Sequence, residues 1–310
     1  MKKLLTAVFC CAFLGIAIPS EGKQYSINLS PFSGIRVSDE FKVSILRGAE
    51  YRALLTVEED YMDYVTCAVS GSTLEISLDE RKVPSEVKRY YKAKGTPDPA
   101  FNVIIYVPDL LRSVVLEDKA VLRDTEDVFD KARVDFELSG SSSIEKLAVS
   151  SLLCRISLKN KAGADLSFTG GECSVEASNS STARIVEHQS EVSRYNLQGT
   201  AKVEALCTTA TLNVYTKANC TLRVTGSGDK AFFDINGTSE VDASGFEVPE
   251  ATVCMSSVCK LSEAAYKTLR VNLNGGSTLY FANEPSVTIE NIRSASMTRI
   301  SSGRGAVRSL

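Results

Sequence analysis

Tryptophan is absent from the chain and aromatic residues make up only 7% of it. The absence of Trp and the low aromatic content fit a narrow core filled by aliphatic layers. Histidine occurs once, at His188, so a Ser-His-Asp triad would have to use it. Its setting, Ile185-Val186-Glu187-His188-Gln189, reads as a surface strand end at the boundary of two repeats. Neither charge sign dominates: 35 basic and 38 acidic residues leave a formal net charge of −3. With both signs scattered there is no electrostatic footprint for nucleic acid, and a polyanionic partner is not expected. Beyond the first twenty or so residues no apolar run approaches the length of a membrane span. Cys-x-x-Cys is missing, and Gly275-Gly276 runs into Ser277-Thr278 where a calcium-binding repeat needs Asp. No metal site and no cofactor are expected. Helical periodicity is missing throughout.

What the N-terminus does have is Lys2 and Lys3 followed by an apolar run from Leu4 to Ile18, the pattern of a secretory signal. Residues 1–22 are therefore read as a signal peptide, with the mature start between Glu21 and Gln24. Export follows, to the periplasm, the outer-membrane surface or the medium. Cys10 and Cys11 lie inside the apolar run without a Leu-Ala-Gly-like triplet, so lipid anchoring is not supported.

From Lys131 to about Arg304 a short phrase recurs: an apolar anchor, a cluster of Ser, Gly and Asn, and a second apolar residue six positions on. Leu138 and Ile144, Leu197 and Val203, Ile235 and Val241, and Leu273 and Leu279 keep that spacing. The anchors Leu116, Leu138, Leu158, Ala177, Leu197, Thr216, Ile235, Met255, Leu273 and Ile292 fall 18 to 22 residues apart. One coil of about 19 residues cannot cover its own inward side chains, so neighbouring coils must stack on it. The fold class is all-β, a right-handed parallel β-helix, the hand following the general rule for crossover connections.

Val37 and Val43 already show the six-residue step, in a region that also has strands at Ala53–Val57, Thr66–Val69, Leu74–Leu78 and Phe101–Val107. Glu58 to Tyr64 is the one expected helical turn. Arg81 to Ala100 carries Pro84, Pro97 and Pro99 among lysines and tyrosines and reads as a loop, able to touch a glycan or an anionic surface but more simply a solvated excursion. Residues 23–130 are thus N-terminal coils with an insertion at about 81–100, and 131–310 are regular coils continuous with them.

Seven cysteines follow the signal, an odd count that argues against a full disulfide framework. Cys154 and Cys173 both precede an anchor by four residues. Their stacking allows a Cys154–Cys173 bridge if the Cα atoms come within about 4.4–6.8 Å, without requiring one. Cys220 and Cys259 follow anchors by four residues, where Ser239 stands in the coil between. They read as small buried fillers.

Phe32-Ser33-Gly34-Ile35-Arg36-Val37, then Phe41-Lys42-Val43-Ser44-Ile45, then Val69-Ser70-Gly71-Ser72-Thr73-Leu74-Glu75-Ile76, resembles the opening of the putative auto-transporter adhesin, head GIN domain family. Val103-Ile104-Ile105-Tyr106-Val107-Pro108 and the coils after it continue the likeness. The resemblance implies an exported β-helical protein of Bacteroidetes-type bacteria with an adhesion role, and it offers no catalytic residues to carry over.

The anchor-based columns line up no carboxylates: Asp234 precedes its anchor, and Val214-Tyr215, one coil earlier, supplies no acid. One polar row does emerge, the residue after each anchor, with Lys159, Gln198, Lys217, Asn236, Asn274 and Arg293 as candidate binding residues for an extended glycan. The same row could be a turn ladder that satisfies its own backbone. The leading reading is a non-enzymatic envelope scaffold for adhesion to a glycan or a cell-surface protein. A polysaccharide lyase or hydrolase on the same fold, and a structural or assembly role, are the alternatives.

Overall fold

The structure, a computed structural model, describes residues 22–300 apart from positions 95 and 97. The expected signal, with Cys10 and Cys11, falls outside the described residues. In chain order β1 (Lys23–Asn28), β2 (Gly34–Val37), β3 (Lys42–Arg47) and β4 (Arg52–Val57) lead to a one-turn helix, α1 (Glu59–Met62). Next come the hairpin β5 (Val65–Ser70) and β6 (Thr73–Leu78), helix α2 (Ser85–Tyr91), then β7 (Phe101–Val107), β8 (Ser113–Leu116), β9 (Val121–Leu122) and β10 (Arg133–Leu138). The regular stack is made of β11 (Ser143–Leu158), β12 (Gly163–Ala177), β13 (Thr182–Gly199), β14 (Lys202–Ala218), β15 (Thr221–Ile235), β16 (Glu240–Met255) and β17 (Lys260–Asn274). It ends with β18 (Thr278–Phe281), β19 (Ser286–Arg293) and β20 (Ser296–Arg299).

Each strand from β10 to β17 pairs in parallel with the next, forming a parallel β-helix, or β-solenoid. The anchors stand one above another from Leu116 to Ile292. Their partners six residues on form a second column, Leu122, Ile144, Ala164, Ala183, Val203, Leu222, Val241, Leu261 and Leu279.

The six-residue step has a backbone cause. The residue two places after each anchor adopts a left-handed conformation: Asp39, Asp118, Gly140, Asn160, Asn179, Gly199, Ala218, Gly237, Ser257, Gly275 and Ser294 have φ between 53° and 81°. That geometry favours Gly, Asn and Asp, the residues that cost least there. Two places further on, a small side chain points inward at the corner: Ser142, Ala162, Ser181, Ala201, Cys220, Ser239, Cys259 and Ser277 are all buried. Ser239 Oγ donates to Asn236 O at 2.9 Å and Ala218 O at 3.2 Å. Cys259 Sγ makes the same two-carbonyl contact, with Ser256 O and Ile235 O, both at 3.3 Å. Thiol and hydroxyl therefore serve one purpose at this corner, which accounts for Cys220 and Cys259 without redox chemistry.

The N-terminal third winds differently. The β2–β3 coil lies between a coil made of β6 and β7 and one made of β8 and β9, so spatial and chain order part company. Beneath it β4 runs antiparallel to β7, β1 antiparallel to β4, and β5 antiparallel to β6. Antiparallel strands end the parallel ladder and close this end of the core. The stretch from Arg81 to Ala100, expected as loop, contains the seven-residue helix α2. Pro84 stands at its N-cap, where a missing N–H costs nothing, so that proline starts the helix instead of breaking it. Tyr91 packs on Tyr61 with ring centroids 5.3 Å apart, and Tyr61 on the edge of Phe101 at 5.2 Å. This aromatic contact fixes the insertion against the end of the solenoid. The expected helical turn near Glu58 is present as α1.

The corner geometry predicts opposite outcomes for two substitutions. A Cβ on Gly237 would lie 2.3 Å from Ala218 O at a φ of +81°, so Gly237→Ala should cost at least about 2 kcal/mol. Ala218 already holds a φ of 79°, and Ala218→Gly should be neutral or stabilising by up to about 1 kcal/mol. Urea unfolding of the two variants beside the parent checks the pair.

Candidate functional site

The polar row is built by the corner. Because each anchor points inward, the residue after it points out, and register places Gln198 beside Lys217 and Asn274 beside Arg293. The structure divides the row in two. Asn236 and Asn274 are engaged within the protein: Asn236 Nδ2 donates to Asp234 Oδ1 at 2.8 Å, and Asn274 Nδ2 donates to Asn272 Oδ1 at 3.0 Å. Asn291 Nδ2 donates to Asn274 Oδ1 at 2.7 Å. Lys159, Gln198 and Lys217 are exposed, with no side-chain hydrogen bond among the described residues. Asn236 and Asn274 are thus bonded to neighbouring side chains, and the first part of the row is left free.

Those three free side chains border a shallow groove of about 340 Å³ across five coils. The outward residues just before the anchors form its wall: Glu176, Asn196, Tyr215 and Asp234, in register from coil to coil. Tyr215 is 37% exposed and leans on Phe232, centroids 5.7 Å apart, so its ring is propped in place with one face toward solvent. The row before the anchors was the residue set that sequence reasoning missed. Its signal, an aromatic among amides and carboxylates at one phase of the repeat, was readable. Asn274 and Arg293 continue the column toward the C-terminal end and do not border this groove.

Chemically the groove offers an aromatic ring, three amides (Asn196, Gln198 and Asn236, the last bonded to Asp234), two cations and two carboxylates, close to neutral overall. Glu176 and Asp234 are three coils apart, about 14 Å at the usual strand spacing. Paired carboxylates of a glycoside hydrolase stand roughly 5–10 Å apart, so these two do not form such a pair.

A second trench, of about 750 Å³, follows the other column. Glu145, Asp165, Arg184, Glu204, Arg223 and Asp242 edge it, each seven residues after an anchor, with Gly163, Ala164 and Ala183 on its floor. Loose ion pairs connect Arg184 to Asp165 at 3.6 Å and Arg223 to Asp242 at 3.9 Å. Here, against the expectation that no column aligns acids, Asp165 faces the bulge that carries Glu145. Columns built on the first anchor alone could not show this, because it belongs to the second.

His188 is exposed, and the nearby hydroxyls turn away from it. Ser193 Oγ and Ser190 Oγ donate to Glu187 Oε2 at 2.6 and 2.9 Å, and the Tyr195 hydroxyl donates to Glu187 Oε1. Glu187 itself is 2% exposed, and burial pushes its carboxyl above the usual range. Three hydroxyl donors satisfy this buried acid and close it off from a polymer. Cys154 and Cys173 stand in register and fully buried, both as free thiols. Contact with Cys154, then burial, push the Cys173 thiol up. No cluster of metal-ligating side chains is present among the described residues.

Comparison with known proteins adds the lineage. The family described as "Putative auto-transporter adhesin, head GIN domain" matches residues 31–285. The chain belongs to this family. Its matched region takes in β2 through β18 and the groove. No curated protein matches the chain significantly. Among solved structures, one described as a putative lipid binding protein of Parabacteroides distasonis is similar at 15% identity, over 90% of this chain and 96% of that one, with a TM-score of 0.44. A putative adhesin of Parabacteroides merdae is similar at 14% identity over 90% and 95%, TM-score 0.44. A second Parabacteroides distasonis protein, also a putative adhesin, shows 13% identity over 91% and 98%, TM-score 0.43.

One further acid yields a test of the core. Glu263 is 1% exposed; its Oε2 accepts from the Ala265 amide at 2.7 Å, while Oε1 has no partner among the described residues. Burial pushes the carboxyl up to about 7. Since the folded value lies above that of the unfolded chain, the stability it contributes is full below about pH 4.5 and is lost as pH rises through about 7. Glu263→Gln should therefore leave the melting temperature near pH 4 little changed, and at pH 8 stabilise by up to about 3 kcal/mol. Parallel calorimetric melts of the two proteins at both pH values read this difference.

Proposed function

We propose that the protein is an exported cell-envelope scaffold that adheres to an uncharged glycan through the groove beside Tyr215. The observation that carries the reading is the convergence of a propped, half-exposed aromatic ring with unpaired Gln198, Lys159 and Lys217 and the Asn196 amide on rigid strands. An aromatic ring offers an apolar body to a sugar face, and amides both donate to and accept from hydroxyls. Charge balance across the groove favours a neutral chain over a polyanion. The stack gives rigidity, so no ordering cost is added when an extended polymer lies along the coils. Membership of an adhesin family and the N-terminal basic-apolar pattern support export and surface binding. No helix among the described residues is long and apolar enough to cross a membrane.

A polysaccharide-cleaving enzyme is the second reading, favoured by Glu145 beside Asp165 with Arg184 one coil on. The two readings separate by site and by product. In affinity electrophoresis through a panel of neutral polysaccharides, the parent protein should be retarded by at least one of them, and Tyr215→Ala should weaken that retardation at least tenfold. Retardation unchanged in Tyr215→Ala would overturn the groove. Appearance of new reducing ends or unsaturated products, lost in Asp165→Asn, would establish the enzyme instead.

A further inference from the structure

Where α2 folds back over the end of the stack it leaves a cavity of about 200 Å³ that shares no residue with the groove or the trench. Its floor is aromatic: Tyr61, Tyr91 and Phe101, the rings that hold the insertion in place, line it together with Val83. Tyr61 is only 7% exposed. Its hydroxyl bonds to no group among the described residues and is not sealed off, so it opens on the cavity. Burial, and after it the Glu80, Glu40 and Asp60 carboxylates, push this phenol's pKa up. It is therefore a neutral hydroxyl, able to accept as well as donate.

Water can satisfy a hydroxyl, but the rim carries charge as well. Lys88, one turn before Tyr91 on α2, and Lys92 at the helix C-cap form one wall. The other walls come from the β2–β3 turn, with Glu40, and from the end of β6, with Glu80; Asp98 belongs to the return to β7. Lys119 holds Glu40. Glu80, Asp98, Lys88 and Lys92 have no ion-pair partner among the described residues, although all four line one small opening. Two cations and two anions left unpaired around an aromatic floor are complementary to a molecule that carries both signs itself.

We propose that this cavity binds a small zwitterion, its ammonium end met by Glu80, Asp98 and the Tyr61 oxygen, its anionic end by Lys88 and Lys92, and its compact apolar body by the rings. An ammonium over a tyrosine face gains cation–π attraction in addition. The volume equals the liquid share of about seven waters, which suits a free amino acid or a choline-type headgroup and excludes an oligosaccharide. The site is thus separate from the glycan groove in place and in ligand.

Isothermal titration calorimetry of the purified protein with L-leucine, L-phenylalanine and phosphocholine tests this, the amino acids and phosphocholine standing for the two sources of such a molecule. At least one should bind saturably with a dissociation constant of about 1 mM or less. Its relatives that lack one charge, the N-acetyl amino acid, the amino acid amide or choline, should bind at least tenfold more weakly. Lys88→Met and Glu80→Gln change rim positions outside the core, so both variants should melt as the parent does and bind the zwitterion at least tenfold more weakly. The loss should be selective, because Lys88→Met should leave binding of the amide or choline, which have no anionic group, unchanged. Tyr61→Phe keeps the ring packing and should weaken the zwitterion at least threefold. Absence of binding by all three probes up to about 20 mM overturns the proposal. So does binding that the singly charged relatives match, or binding that Lys88→Met and Glu80→Gln leave intact.

Discussion

Everything regular in this molecule depends on one corner. Eleven times the backbone turns through a left-handed residue two places after an inward anchor, and each turn lies directly against the turn of the coil before it. Gly140, Gly199, Gly237 and Gly275 leave no room for a Cβ because backbone atoms of the neighbouring coil lie about 3 Å or less from where it would be. That close approach fixes the rise from coil to coil, and with it the register of both columns of inward side chains. A corner that slipped by one residue would turn the apolar face outward along the whole following strand.

The same constraint governs the polar chemistry. Polar side chains near the corner are drawn into satisfying it: Ser142, Cys220, Ser239 and Cys259 bond to carbonyls of their own and the previous coil, and Asn236, Asn274 and Asn291 bond to neighbouring amides and acids. The candidate side chains of the row that make no such bond among the described residues are Lys159, Gln198 and Lys217 on the coils around Tyr215, and Arg293 near the C-terminal end. The buried acids behave differently. Glu187 has a hydroxyl for each need and is a closed network, whereas Glu263 retains an unpartnered oxygen near the C-terminal end, where the last regular coil gives way to shorter strands. Among the described residues the Ser181 and Ser277 hydroxyls are also buried without a partner, so the cost of a buried polar atom is spread along the stack.

A stack of identical layers has no internal reason to stop, so its ends must be handled separately. At the N-terminus reversal of strand direction does this, helped by an aromatic cluster that fastens α2 over the core. At the C-terminus the last inward row, Val287, Ile289 and Ile292, is exposed among the described residues.

The sequence by itself determined the period, the two columns six residues apart, the parallel stacking, and the role of the corner cysteines. All of these follow from strictly local rules about which residues tolerate a left-handed turn and which can be buried, repeated until the pattern shows. Tertiary structure decided what depends on neighbours that sequence does not place side by side. The β2–β3 coil is inserted between two later coils because strand pairing at the cap, not chain order, satisfies its edges. Pro84 initiates a helix since the Tyr61 and Phe101 rings give that helix, through its Tyr91, a surface to pack on. Among the residues of the polar row, Lys159 and Asn236 look alike in sequence, and only their partners in space separate a free side chain from an engaged one.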